Sequence, residues 1–245
     1  MFEQPKRHNL GPTLLREVSI GPIDSSLSKR AEWMIGALKV KDYLSHKMER
    51  NERGEVTKGV TVLSVGSGKG HELEELDMHL PKSRIIGVDP HDHMTRPVER
   101  RLKEQAHDCC YLDETYSAEN LSVIKDKSID GIVYCFVLHH IIEEKHDLVV
   151  NELNRVIKDD GYVFLAEDLV DNTEEHKKTE RVDRLLNVEV RQNDVHNYRN
   201  IEDWKSFFNE HGFNFVDANE EKSKSGVRHG FFVFQKRTNE ALKEI

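Results

Sequence analysis

Short apolar, β-rich runs alternate with helix-forming segments through the middle of this sequence, and that alternation constrains the fold more than any other feature. The first run, residues 60–65, is almost wholly apolar, as expected of a strand buried on both faces of a sheet. A helical stripe of Leu73, Leu76 and Leu80 follows and stops at Pro81. Further strands are predicted at 84–88, 109–112, 131–136 and 162–166, and further helices around 94–102 and 148–157. This order predicts an α/β protein with a doubly wound, mostly parallel sheet.

The last part of the chain departs from this alternation. Trp204, Phe207 and Phe208 lie on a predicted helix that ends near residue 212. Two strands, at 213–216 and 230–234, are then separated only by a polar loop with no room for a crossover helix, so we expect them to pair antiparallel. The complete sheet would therefore have seven strands, with the last one antiparallel to the others.

Two segments lie outside this core in the predicted domain organisation. Residues 1–57 form an N-terminal extension, in which Met34, Leu38 and Leu44 recur near helical spacing and predict an amphipathic helix over about 28–50. Residues 58–245 form the core. Within the core, the polar stretch 171–200 is predicted to be an insertion that covers the substrate site.

Composition excludes several classes of protein. The chain has 245 residues and a net charge of −9, and its longest apolar run, GIVYCFVL, is too short to span a bilayer. Three cysteines, two of them adjacent, do not make a disulfide framework, and the first residues lack a secretory layout, so we expect a cytoplasmic protein. Net acidity disfavours general nucleic-acid binding, although one predicted helix face is basic. That face carries Arg96, Arg100, Arg101 and Lys103.

The sequence VLSVGSGKG at 62–70 is the motif that points to a ligand. A buried strand runs into Gly66, Gly68 and Gly70, and a helix begins at once, so the backbone can approach a ligand and present free N–H groups to it. Asp89 stands nineteen residues beyond Gly70, at the end of the second strand, where a carboxylate can accept both hydroxyls of an adenosine ribose. The spacing is GxGxG because His71 takes the next place, which favours a nucleoside cofactor other than a dinucleotide.

These motifs, in this order, resemble the class I S-adenosylmethionine-dependent methyltransferases over residues 58–237. The matching segments are VLSVGSGKG (62–70), RIIGVDPHDHM (84–94), SIDGIVYCFVLHHI (128–141), LNRVIKDDGYVFLAED (153–168), YRNIEDWKSFFNEHGF (198–213) and GFFVFQKR (230–237). The resemblance is nearest to the small-molecule branch that includes the quinone-pathway C-methyltransferases. It implies a Rossmann-like methyltransferase fold, S-adenosylmethionine as cofactor and methyl transfer to a small-molecule acceptor.

The resemblance also implies a set of cofactor-binding residues. They are Ser64, Gly66, Ser67, Gly68, Gly70, Asp89, Pro90, His91, Asp113, Cys135 and Phe136. In this set Asp89 would hold the ribose and Asp113 the adenine edge. Ser64 stands where the family usually has Asp or Glu, so a water or another carboxylate would have to orient the ammonium group of the cofactor.

His140 is the candidate catalytic base, because it follows the fourth strand at the edge of the sheet where ligands bind. With its neighbour His139 it would otherwise serve as a helix cap or in packing. Glu167 and Asp168 end the fifth strand and are candidates for substrate contact, or else solvated acids. No ligand spacing typical of structural zinc occurs, so no metal site is expected.

Two other functions stay open. An RNA or protein methyltransferase would need a basic groove beside the cofactor, and an Asn-Pro-Pro-type motif for amino groups of bases is absent after the fourth strand, where the sequence is CFVLHH. A non-catalytic S-adenosylmethionine-binding module is the second alternative, because Ser64 lacks the usual charge. Such a module would bind the cofactor without turnover.

Overall fold

A computed structural model of the chain describes residues 27–91, 100, 109–112, 116–186 and 196–238. The predicted helix around 94–102 falls almost entirely outside these ranges, and Asp113 lies outside them as well. The strands are β1 (Glu49–Arg50), β2 (Val56–Lys58), β3 (Thr61–Val65), β4 (Arg84–Val88), β5 (Cys109–Tyr111), β6 (Ile129–Cys135), β7 (Ile157–Leu169), β8 (Phe213–Lys222) and β9 (Arg228–Lys236). The helices are α1 (Leu27–Ala37), α2 (Val40–Leu44), α3 (His71–His79), α4 (His146–Val156), α5 (Thr173–Leu186) and α6 (Ile201–Glu210). None of these described helices is both long enough and apolar enough to cross a membrane.

Seven strands form one sheet, in the order β5-β4-β3-β6-β7-β9-β8. The five strands β3, β4, β5, β6 and β7 pair with one another in parallel, whereas β9 runs antiparallel to both β7 and β8. The predicted α/β fold with an antiparallel last strand is therefore confirmed. Because β3 pairs with β4 on one side and β6 on the other, the strand order reverses at β3. Ligands bind beyond the carboxyl ends of strands at such a point.

The two faces of the sheet are each covered by helices. Successive residues of a strand point to opposite faces, and both Val62 and Leu63 on β3 are fully buried. Leu63 belongs to the apolar cluster that includes Trp204 of α6, whereas Val62 belongs to the cluster that includes Leu73 of α3. Burial on both faces explains why the central strands read as continuous apolar runs.

The predicted helix over 28–50 is wrong in its length, because the chain breaks it at Lys39. This residue has a φ of 52°, in the left-handed region, and α2 starts directly after it. The break turns the chain so that Leu38, Val40 and Leu44, at 1%, 1% and 0% exposure, all reach the core. Packing on the sheet thus overrides the helical periodicity that the sequence suggests.

Two strand segments were not expected from the sequence. β1 and β2 form a small antiparallel pair close to the predicted boundary at residue 57, and most of their residues are exposed. β8 continues six residues past the predicted end at 216, as an edge strand with one buried residue. Neither segment has an apolar pattern from which a strand could be predicted, because it forms through backbone pairing with a neighbouring strand and not through burial.

Substitution of two glycines by alanine would show how closely neighbouring elements approach the backbone at each position. A Cβ on Gly59 would lie 2.4 Å from the backbone N of Ser83, so Gly59→Ala should lower the free energy of unfolding by about 1–3 kcal/mol through overpacking. Gly36, inside α1, has open space around its Cβ position, so Gly36→Ala should raise stability by about 0.5–1 kcal/mol. Urea denaturation of both variants checks the pair, and equal midpoints would contradict the packing at residue 59.

Candidate active site

The loop after β3 has a backbone shape that depends on glycine. Gly66 has a φ of 68° and Gly68 a φ of 45°, both in the left-handed region. A Cβ at residue 66 would lie 2.4 Å from Cγ2 of Val137, so the turn after β6 packs directly on this glycine. At Gly68 no described atom lies within 4 Å of the Cβ position. The loop therefore closes on one side and leaves room on the other.

Hydrogen bonds fix this loop to the ends of the neighbouring strands. The N–H groups of Gly66 and Ser67 both donate to the carbonyl of Val88, at 2.8 and 3.2 Å. The hydroxyl of Ser67 donates to the carbonyl of Ser64 at 2.7 Å. Ser64 is buried on β3 and uncharged, as the sequence indicated. The loop is thus held in shape before any ligand binds.

Asp89 points into the glycine loop. Its Oδ2 accepts the N–H of Gly68 at 3.0 Å, and its Oδ1 accepts the N–H of His91 at 3.0 Å. Nδ1 of the His91 ring lies 2.9 Å from the same Oδ1. A carboxylate has roughly four acceptor positions. The N–H groups of Gly68 and His91 occupy two of these positions on Asp89, so the other two would remain for a pair of hydroxyls if the His91 ring turned aside. The neighbouring Pro90 is exposed.

A carboxylate that sequence reasoning missed stands on the first turn of α3. Burial raises the pKa of Glu72, while the positive charge of Arg30 opposes the rise. The charge of Asp89 also acts on Glu72, so the two carboxylates share one region. An acidic residue two places after the last glycine of the loop was the available signal in the sequence.

Cys135 is the last residue of β6, and Phe136 follows it beside this region. Burial, followed by the charge of Glu72, raises the pKa of the Cys135 thiol well above its ordinary value. The N–H of Phe136 donates to the carbonyl of Ala166 at 2.8 Å. Its ring lies 5.1 Å from the guanidinium of Arg30 and 5.4 Å from the ring of His229. Phe136 therefore links α1 and β9 to the end of β6.

Glu167 and Asp168 both have protein partners rather than an open face. Oε1 of Glu167 accepts the N–H groups of Val137 and Leu138 at 3.0 and 2.7 Å, and its other oxygen pairs with Nδ1 of His139. Asp168 pairs with Nδ1 of His229 at 2.6 Å. Of the two alternatives for these acids, the solvated one is wrong, since both are buried, at 0% and 7% exposure.

His139 and His140 differ sharply although they are adjacent. Burial lowers the pKa of His139, but Glu167 and Asp183 outweigh that effect and the pKa rises to about 10. Burial and the charge of His139 lower the pKa of His140 to about 4. His140 is therefore neutral at pH 7, and a pKa this low makes a free imidazole a weak general base.

Asp183 and His196, from the stretch 171–200 that was predicted to be an insertion, lie beside His139 and His140. Burial alone would raise the pKa of Asp183, but the neighbouring imidazoles hold it at about 2. Nε2 of His196 lies 2.9 Å from Oδ2 of Asp183. The ring of Tyr198 lies 4.9 Å from that of His139 and 5.5 Å from that of His196. The edge beyond β6 is thus lined by histidine, aspartate and tyrosine.

Comparison with known proteins bears on the chemistry of this edge. A family model described as a methyltransferase domain matches residues 63–165. The chain is 27% identical over 160 residues to a tRNA (guanine-N(7)-)-methyltransferase of Vanderwaltozyma polyspora and 25% identical over 154 residues to that of Kluyveromyces lactis. Each match covers 54% of this chain and 54% or 55% of the relative, so the chain spans about half the length of these curated relatives.

Solved structures show the same fold at low identity. The PH0226 protein from Pyrococcus horikoshii has a TM-score of 0.61 and 14% identity, covering 88% of this chain and 94% of that chain. A SAM-dependent methyltransferase from Methanosarcina mazei has a TM-score of 0.59 and 16% identity, covering 75% of this chain and 95% of that chain. These similarities concern the fold alone.

The buried pair of Asp168 and His229 makes a stability prediction. Asp168→Ala leaves Nδ1 of a buried imidazole without its partner, so the free energy of unfolding should fall by about 1–3 kcal/mol. Asp126→Ala is the control, because it removes a carboxylate whose side chain is 73% exposed and should change stability by at most about 1 kcal/mol. Denaturant unfolding measures both, and an Asp168→Ala midpoint as high as that of the control would contradict the pairing.

Proposed function

We propose that this protein, whose residues 63–165 match a family model described as a methyltransferase domain, transfers the methyl group of S-adenosylmethionine to a small organic acceptor. The observation that carries the proposal is the glycine loop at 66–70, whose Gly68 N–H donates to the carboxylate of Asp89 at the end of the neighbouring strand. The two acceptor positions that this carboxylate would offer once the His91 ring turns aside suit the two hydroxyls of a ribose. The fit therefore rests on the donor and acceptor groups of the chain itself.

The roles of the cofactor-binding residues follow from their surroundings. Asp89 would accept the ribose hydroxyls once the His91 ring turns aside. Cys135 and Phe136 would line the wall at the end of β6. Glu72 would take the place of the acid missing at Ser64, because a carboxylate can pair with an ammonium group, whose positive charge would oppose the rise in pKa that burial causes. Asp113, outside the described residues, stays a predicted adenine contact.

For methyl transfer, the protein mainly has to align the acceptor with the cofactor and exclude water. When bound, the cofactor supplies a methyl group on a positively charged sulfur, which keeps the bonding electron pair as a nucleophile takes the methyl. Gly66 and Val137 bring the glycine loop against the turn that carries His139 and His140, so acceptor and cofactor sides are neighbours. The α5 segment would cover the acceptor, as proposed for the stretch 171–200.

The residues beyond β6 favour a small acceptor over a nucleic acid. His139, Asp183 and His196 are all buried or partly buried, His196 pairs with Asp183 at 2.9 Å, and His139 lies 3.7 Å from the same carboxylate, which suits a shielded pocket rather than a groove for a phosphate backbone. The net charge of −9 supports the same choice.

One observation favours a nucleic-acid acceptor as the second candidate. The curated relatives reported above are named as tRNA methyltransferases, and they match about half of this chain. Of the basic residues predicted to form a contact face, only Arg100 falls within the described residues.

Transfer from methyl-labelled S-adenosylmethionine separates the acceptor classes. The purified protein is incubated with a cell extract, and the products are divided into a small-molecule filtrate and an acid-precipitable fraction treated with ribonuclease. We expect label in the filtrate. Label that ribonuclease releases from the precipitate would support the RNA reading, and cofactor binding with no transfer to either fraction would support a non-catalytic module.

Asp89→Asn tests the ribose contact. The amide can still accept the N–H of Gly68, so the loop should keep its shape, but the loss of charge and of one acceptor should weaken binding of S-adenosylhomocysteine at least about tenfold. Calorimetry measures the affinity, with Asp159→Asn, an exposed carboxylate paired with Lys127, as control. Equal heats from wild type and Asp89→Asn would overturn the assignment.

Glu72→Gln tests the ammonium contact separately. This change should weaken S-adenosylhomocysteine about tenfold, but leave methylthioadenosine, which lacks the amino-acid part, unaffected. Asp89→Asn should weaken both ligands, because both contain the ribose. Glu74→Gln on the same helix, where Glu74 pairs with His71 at 3.2 Å, is the matched control. Equal weakening of both ligands by Glu72→Gln would count against this role.

A further inference from the structure

Three side chains with metal-ligating atoms converge where the turn after β6 meets α5. His139 and His140 lie in the short 3₁₀ turn Leu138–His140, and Asp183 comes from α5. One ligand atom from each lies within 4.8 Å of the others. Nε2 of each imidazole is 3.7 Å from Oδ1 of Asp183. Bonds of about 2.0–2.1 Å to a tetrahedral ion place ligand atoms about 3.3–3.5 Å apart, so little movement is required.

Nε2 of His139 gives an independent reason to place a ligand here. The side chain is completely buried, and this nitrogen has no hydrogen-bond partner among the residues that the structure describes. At 3.7 Å, its contact with Asp183 is too long for a hydrogen bond. Buried polar atoms are satisfied with few exceptions. A bound ion at the centre of the three side chains would satisfy this one.

The other nitrogen of the same ring is held as metal-binding histidines usually are. Nδ1 of His139 pairs with Glu167, whose second oxygen accepts the backbone N–H groups of Val137 and Leu138. A carboxylate on one ring nitrogen fixes the orientation of the ring, so that the other nitrogen, once an ion has displaced its proton, directs its lone pair toward that ion. Here that nitrogen faces Asp183.

Asp183 is oriented from its far side. Nε2 of His196 lies 2.9 Å from Oδ2, while Oδ1 faces His139 and His140. The two oxygens thus have separate partners, and one of them is directed at the centre of the group. Both the ligands and the groups that orient them are therefore in position in the folded chain.

We propose that His139, His140 and Asp183 bind one divalent transition-metal ion of the Zn²⁺ or Fe²⁺ type, with Glu167 and His196 as positioning residues. Two imidazoles and one carboxylate suit these ions, whereas Mg²⁺ prefers oxygen ligands. The expectation of no metal came from spacing along the sequence. This site instead joins residues 139 and 183, which only the fold brings together.

The ion would define the acceptor class, and this step rests on the proposed function. Three protein ligands leave at least one coordination position open. A hydroxyl bound there would have a lowered pKa and release its proton to water. The oxygen would then form the new bond to the methyl group as the bond from methyl to sulfur breaks. The favoured acceptor is therefore a small molecule that presents a hydroxyl, rather than one methylated on nitrogen.

Metal binding is tested on the full chain, without any acceptor. The protein is stripped with a chelator and titrated with Zn²⁺ and with Mg²⁺ by calorimetry, and Co²⁺ is added to record its visible absorption. We expect one Zn²⁺ per chain, a higher Tm with Zn²⁺ than without it, a Co²⁺ spectrum of nitrogen and oxygen ligands, and no heat from Mg²⁺. Absence of Zn²⁺ uptake and of a Co²⁺ spectrum would overturn the proposal.

Variants assign the site to the named residues. Loss of an orienting partner weakens metal binding about 10–100-fold, so loss of a ligand in His140→Ala or in the near-isosteric Asp183→Asn should weaken Zn²⁺ at least about 100-fold. His79→Ala removes a histidine that also lies beside a carboxylate, Glu75 at 3.6 Å, and should leave Zn²⁺ binding unchanged. If both ligand variants fold, as judged by circular dichroism, and still bind Zn²⁺ as tightly as wild type, the assignment is wrong.

Binding of S-adenosylhomocysteine separates this proposal from the proposed function. His140→Ala should keep cofactor affinity, because His140 lies on the acceptor side. Cofactor binding and methyl transfer that persist in a protein unable to take up Zn²⁺ or Co²⁺ would refute the metal site alone. Zn²⁺ uptake by a protein that does not bind the cofactor would refute the methyltransferase proposal and leave the metal site standing.

Discussion

The turn after β3 and the turn after β6 lie against each other because residue 66 has no side chain. Any Cβ there would meet Val137 at 2.4 Å, and the left-handed φ of Gly66 disfavours other residues as well. His139 and His140 come two and three residues after Val137, so this one contact joins the glycine loop to the histidines. The proposed cofactor and acceptor regions are neighbours for that reason.

Several buried carboxylates crowd this edge of the sheet, and each has a different set of donors. Asp89 accepts from the glycine loop, Glu167 from backbone N–H groups and His139, and Asp168 from His229. A buried charge is tolerated only when it is paired and hydrogen-bonded. The resulting surroundings are acidic and rich in histidine, which suits cations. The sulfonium and ammonium groups of the proposed cofactor are positively charged, and so is the proposed divalent ion.

The parts of the fold that follow from apolar burial were predicted well. Strands β3, β4 and β6 lie within one or two residues of the predicted positions, because each is buried on both faces and consists mainly of apolar residues. The parts that depend on pairing or on packing angles were not predicted. The continuation of β8 past residue 216 and the break at Lys39 have no periodic pattern of their own, since neighbouring elements determine both.

The sequence by itself determined the glycine loop and the carboxylate of Asp89, because a strand, a tight turn and a helix start are local structures with local rules. It could not place Glu72 in the same region or show that Glu167 and Asp168 are buried, since those facts depend on which side chains surround them. Only the tertiary structure brings Asp183 to His139 and His140, across 44 residues of chain from the first of them. Ligands that come from separate elements have no fixed spacing along the chain, and the folding of α5 onto the end of β6 alone creates their geometry.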